Sequence, residues 1–155
     1  MESLTENKSK TLDFATKCLT EGQDLLICGG IACGKFNLSL IAAKQYAGED
    51  NHLLLNWSLL DPRDFYSKLP FLEQNGEITW HESDILKGKM YDGKFVVVID
   101  FDDITSINQL QETFLLKLLN KKGPECRVIL CGLPELATNL PQWLTNRLLK
   151  IEVKN

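Results

Sequence analysis

Apolar positions along this chain fall into two patterns, helical spacing and short continuous runs. Leu12, Phe14, Ala15, Cys18 and Leu19 recur at near-helical spacing, which predicts an amphipathic helix over 9–20. Gly22 is its stop signal. Leu25 to Cys28 is a short apolar run that reads as a buried strand, and a glycine-rich turn follows at Gly29. Leu38, Leu40, Ile41, Ala42 and Ala43 predict a packed helix running to about Tyr46. Leu53 to Asn56 reads as a second strand. Asp61-Pro62 opens a short helix over 63–69, because proline suits a first helical turn. Gly76 to Trp80 alternates enough for a short strand or hairpin arm, and 83–90 reads as helix.

Phe95 to Ile99 is a continuous β-rich run, the pattern of a central parallel strand. Leu110, Phe114, Leu115, Leu118 and Leu119 share one face of a helix over 107–120. Arg127 to Cys131 is another buried strand, 140–148 a short helix and 149–153 a last strand. Strands and helices therefore alternate along the chain. That order predicts a three-layer α/β domain around a mostly parallel central sheet.

The chain has 155 residues, which suits one domain spanning 1–155. Its 44% hydrophobic and 25% charged residues are those of an ordinary globular core and surface. The net charge is −4 and no segment is strongly basic, so charge does not indicate a nucleic-acid partner. No stretch approaches the ~20 apolar residues of a membrane span. Met1 to Lys10 is polar, unlike the apolar start of a secretory signal. The expected location is the cytoplasm or a host nucleus. Cys18, Cys28, Cys33, Cys126 and Cys131 form no Cys-x-x-Cys pair, and neither His52 nor His81 lies near one of them in sequence. Zinc spacing is absent, and reduced, largely buried thiols are expected.

The chemistry concentrates in Gly29-Gly30-Ile31-Ala32-Cys33-Gly34-Lys35-Phe36. A glycine, four residues, a glycine and a lysine is the spacing of a Walker A phosphate loop. Glycines let backbone amides turn inward, and a helix beginning near Lys35 adds its own free amides around an anion. Lys35 places a positive charge on the outer phosphates. The next position should carry Ser or Thr, whose hydroxyl binds magnesium. Here it is Phe36, which cannot. Asn37 points elsewhere on a helix and Ser39 lies a full turn on.

Phe95-Val96-Val97-Val98-Ile99-Asp100-Phe101-Asp102-Asp103 has the form of a Walker B strand, a buried run ending in a carboxylate that can hold magnesium through water. Asp100 is the first candidate. Asp102 or Asp103 takes the catalytic role if the strand runs two residues further, which would bury Asp100 at a cost. The alternative is that these aspartates cap the next helix and stay in solvent.

With both motifs placed, the chain resembles the AAA+ ATPases, and within them the branch of MoxR proteins, midasin and the dynein motor modules. Thr11 to Gln23 is similar to the helix and turn before the first core strand. Leu55-Asn56-Trp57 with Asp61-Pro62-Arg63-Asp64-Phe65 is similar to the second strand and its helix. Gly76-Glu77-Ile78-Thr79-Trp80 through Leu86-Lys87-Gly88-Lys89 is like the insertion hairpin and the helix leading to Walker B. Asp103-Ile104-Thr105 and the following helix continue the order.

The resemblance implies ATP and Mg2+ as cofactors, an oligomer or protein partner, and a polar sensor residue where Cys131 stands. It also implies an arginine finger acting on a neighbouring subunit, for which Arg147 of Asn146-Arg147 is the candidate. The alternative for Arg147 is a surface helix residue. In many members a glutamate follows the Walker B aspartate; here that residue is Phe101. No segment for the family's small helical lid follows the last strand, so an AAA+ core without a lid is expected. These departures favour a degenerate, interaction-type subunit with weak or no hydrolysis. A working ATPase using Lys35, Asp100 and Arg147 is the alternative. A DNA-replication initiator- or loader-like factor is a further one. Exposed helix faces such as that of 140–148 are the expected partner surfaces.

Overall fold

The computed structural model describes residues 6–56, 71–74, 77–80 and 93–154. Helix α1 (Glu6–Thr20) begins three residues before the predicted start. It ends in a Schellman turn: the Gln23 amide donates to the Cys18 carbonyl and the Gly22 amide to Leu19, with Gly22 at φ +99°. Strand β1 (Asp24–Cys28) leads through the loop into α2 (Lys35–Ala47). Then come β2 (His52–Asn56), β3 (Phe71–Gln74), β4 (Glu77–Trp80) and β5 (Phe95–Asp100). Helix α3 (Gln109–Lys121) precedes β6 (Cys126–Gly132), α4 (Pro134–Asn139), α5 (Gln142–Thr145) and β7 (Leu148–Glu152).

Five strands form one parallel sheet in the order β2-β5-β6-β1-β7. The expected α/β architecture is therefore present. β3 and β4 pair antiparallel as a separate ribbon, so the predicted hairpin arm at 77–80 has its partner at 71–74. The helices expected over 63–69 and 83–90 lie outside the described residues.

Alternate residues of each strand feed opposite faces. Leu25, Ile27, Val96, Val98, Ile129 and Ile151 pack under α1 and α2. Leu26, Val97, Ile99, Val128 and Leu130 pack under α3, α4 and α5. Phe14, expected on the apolar face of α1, is 51% exposed.

Two differences lie in the last third. Of the helix predicted over 140–148, only 142–145 (α5) is helical, capped by Pro141. A separate short helix that was not predicted, α4, precedes it, started by Pro134. Leu140, Leu144 and Leu148 are buried in the core. The apolar side of that segment is thus inside the protein, and Gln142, Asn146 and Arg147 are exposed. Helix α3 begins at 109 rather than 107 because Asn108 caps it. Its side chain accepts from the Gln111 amide at 2.8 Å, and the Gln111 side chain accepts from the Asn108 amide at 2.8 Å.

A candidate phosphate site with an incomplete metal half

The loop between β1 and α2 closes over the C-terminal edge of the sheet. Strand register sets its neighbours: Cys28 pairs with Gly132, and Asp100 with Cys131. The ends of β1, β5 and β6 therefore meet beneath one loop.

Gly29 is buried and its amide donates to the Gly132 carbonyl at 3.2 Å. A Cβ there would lie 2.4 Å from Cys33 Sγ and 2.6 Å from the Val153 carbonyl oxygen, so no side chain fits. Gly34 caps α2 at φ +86°, a backbone that glycine tolerates without strain. Gly30 is different: it is exposed, with nothing within 4 Å of an added Cβ. Ala32 holds φ +60° without being glycine. Cys33 is buried, and its amide donates to the Gly30 carbonyl at 3.3 Å. The amides of Gly30, Ile31, Ala32 and Gly34 have no backbone acceptor among the described residues. α2 contributes further orphan amides and carries no acid in its first turn. These are the requirements of an anion cradle.

Lys35 is half-buried and its Nζ donates to the Gly30 carbonyl at 3.1 Å. It also acts electrostatically on Asp100. Burial pushes the Asp100 carboxyl above its ordinary value and the nearby Asp102 charge adds to this, while the Asp102 amide and Lys35 oppose it. The Asp102 amide donates to Asp100 Oδ1 at 2.9 Å in a tight local turn, with Asp102 at φ +53°. The structure thus brings Lys35 and Asp100 to one place.

The other candidates divide. β5 stops at Asp100, so the longer register does not occur; Asp102 and Asp103 are exposed beyond it. They do not cap α3, which Asn108 does. Phe101 is fully buried in the opposite core layer, so the position after Asp100 points away from the loop. Cys131 lies beside the site. Burial, reinforced by Asp100, pushes its thiol up to about 12, so it stays a neutral thiol.

Phe36, in the first turn of α2, is 37% exposed, and Ile31 at the loop tip is 79% exposed. An apolar ring stands where a hydroxyl would meet the metal. Ser39 does not replace it: its buried hydroxyl donates to the Lys35 carbonyl at 2.7 Å and meets the Cys131 thiol. The donor set fits a phosphate group. It does not fit the hydroxyl-assisted magnesium site that the spacing alone implies. Among the described residues no group of three or more His, Cys, Asp or Glu gathers as a metal site.

Arg147 stands apart. It precedes β7, whose first residue pairs with the first of β1, so it lies at the opposite, N-terminal edge of the sheet. Its guanidinium donates to Asn120 Oδ1 at 2.6 Å and to the Leu119 carbonyl at 3.2 Å, at the end of α3. The sequence reading missed Lys8. From α1, its Nζ lies 3.1 Å and its Cε 3.8 Å from where a Gly34 Cβ would be.

No protein-family model and no curated protein matches this chain in sequence. Solved structures match it in fold. NtrX from Brucella abortus in complex with ATP aligns over 99% of this chain and 38% of its own, at TM-score 0.65 and 13% identity. The RuvB R170A protein of Thermotoga maritima aligns over 97% and 45%, at 0.58 and 17%. A DNA polymerase III gamma subunit-related protein of Thermotoga maritima aligns over 94% and 46%, at 0.56 and 15%. The fold is that of the AAA+ P-loop ATPases. The chain spans less than half the length of these matched structures. No described helix is long and apolar enough to cross a membrane.

Proposed function

We propose that this chain is a degenerate AAA+-type module. It takes the phosphates of a nucleoside triphosphate weakly, gains little from magnesium, turns nucleotide over slowly or not at all, and serves as an interaction or scaffold subunit of a cytoplasmic assembly. Phe36 carries the reading: the cradle's amides and Lys35 are in place, and the metal's hydroxyl ligand is an exposed ring. The buried Phe101 and the neutral Cys131 thiol agree with it, since neither can polarise an attacking water. The ATP complex of NtrX supports ATP as the nucleotide. The motif order supports the MoxR, midasin and dynein branch. An exposed Ile31 and Phe36 beside the loop support a protein neighbour there.

Titration with ATP, in magnesium and in chelator, tests the proposal. The two affinities should agree within about threefold, under 0.7 kcal/mol. Lys35→Ala should lose about tenfold in both. Phosphate release should not exceed that of Lys35→Ala. A magnesium gain of about tenfold or more, or Lys35-dependent turnover, would instead establish a working ATPase with Asp100 on the metal and Arg147 acting in trans.

A further inference from the structure

The loop receives a second lysine from a separate element. α1 runs back along β1, so its first turns reach the same sheet edge as the phosphate loop. Fifteen residues of helix span about 22 Å, more than enough to overhang a five-residue strand. Lys8 sits at that overhanging end, half-buried, with its ammonium group against Gly34. Gly34 is the N-cap of α2, where the helix dipole and the free amides are directed. Lys35, the next residue, donates to the Gly30 carbonyl at 3.1 Å.

A carboxylate closing the loop would accept from its amides and stand in for a bound anion. A cation there has the opposite effect and strengthens the field for a bound polyanion. In a magnesium-dependent site, the metal neutralises much of the triphosphate charge. Here the hydroxyl ligand for that metal is missing.

We propose that Lys8 is a direct phosphate-binding residue. With Lys35 it forms a two-ammonium clamp that takes over the neutralisation magnesium would supply. The ligand class is then a metal-free triphosphate chain, either that of a nucleotide or inorganic tripolyphosphate. The inference rests on the phosphate-binding reading above and adds a residue and a charge balance to it.

The test is a titration of the intact chain in chelator with ATP and, separately, with inorganic tripolyphosphate. Lys8→Gln, Lys8→Arg and Lys35→Ala are compared with the parent. Thermal unfolding first establishes that each variant is folded. Lys8→Gln should weaken binding about fivefold and make it less sensitive to added salt, since one fewer cation takes part. Lys8→Arg should restore most of the affinity. Similar losses for both ligands would place Lys8 on the phosphates, while a loss confined to ATP would put it on the nucleoside and overturn the clamp. Unchanged binding and salt dependence in Lys8→Gln, with binding lost in Lys35→Ala, would overturn the role of Lys8 and leave the loop's phosphate site standing. A parent chain that binds neither ligand would overturn both.

Discussion

At the N-terminal edge of the sheet, Arg127 is 7% exposed and its guanidinium is bound to the fold. It donates to the carbonyls of Leu19 at 2.8 Å, Pro124 at 2.8 Å and Cys126 at 3.2 Å, and lies 5.2 Å from the Tyr46 ring centre. The Tyr46 hydroxyl donates to the Glu125 carbonyl at 2.7 Å. Asp24 accepts from the Val128 amide at 2.8 Å and pairs with Lys122 at 3.4 Å. At the C-terminal edge, Lys35 reaches only as far as its own loop, and several loop amides lack backbone acceptors among the described residues. Both non-glycine residues with positive φ among those described, Ala32 and Asp102, are at that edge too. One edge spends its polar groups on the fold. The other holds strained backbone and open donors, the condition of a surface prepared for a ligand.

The contrast can be broken at its strongest point. Arg127→Ala would strip three carbonyls of a charged donor and uncover the Tyr46 ring. It should destabilise the chain by about 3 kcal/mol in urea unfolding. A loss below about 1 kcal/mol would show that the lower network contributes little. Two adjacent glycines sharpen the other side. Gly29→Ala drives a methyl into Cys33 Sγ and the Val153 carbonyl and should cost about 2 kcal/mol. Gly30→Ala meets nothing and should stay within about 0.5 kcal/mol. Equal costs for the two would mean the loop is not packed against its floor.

The smallest effect is one of pH. Burial holds the Asp24 carboxyl above its ordinary value even though Lys122 and the Val128 amide lower it. The folded protein then binds that proton more tightly than the unfolded chain does. The contribution of Asp24 to stability is therefore full below the unfolded value, near 3.8, and is lost as pH rises through the raised folded value. Measured against Asp24→Asn, the parent's stability should fall across that window and flatten above it. A difference that rises with pH would show that Lys122 outweighs burial.

The upper edge was largely legible in the sequence because its information is local. Glycine spacing, the lysine and the apolar run before Asp100 each lie within a few consecutive residues. The lower edge was not, because Asp24, Tyr46, Lys122 and Arg127 meet only after the sheet has formed. Lys8 escaped for the same reason: the apolar spacing starts at Leu12, while its contact with Gly34 is tertiary. Two further local signals stand in the sequence. Asn108 and Gln111 stand at capping-box spacing, and Pro134 is suited to a first helical turn. Across 140–148 the buried leucines are helically spaced, yet the chain is helical only at 142–145.

The floor under Gly29 also has a consequence for how the protein is made. That floor is the Val153 backbone, tied to Cys28 by an amide that donates at 2.8 Å, and it comes from beyond the last strand. A ribosome delivers the glycines early and their support late. Contacts so distant in sequence also close slowly, because a long loop must be ordered first. The most local motif in the sequence thus depends for its native shape on a contact with residues far along the chain.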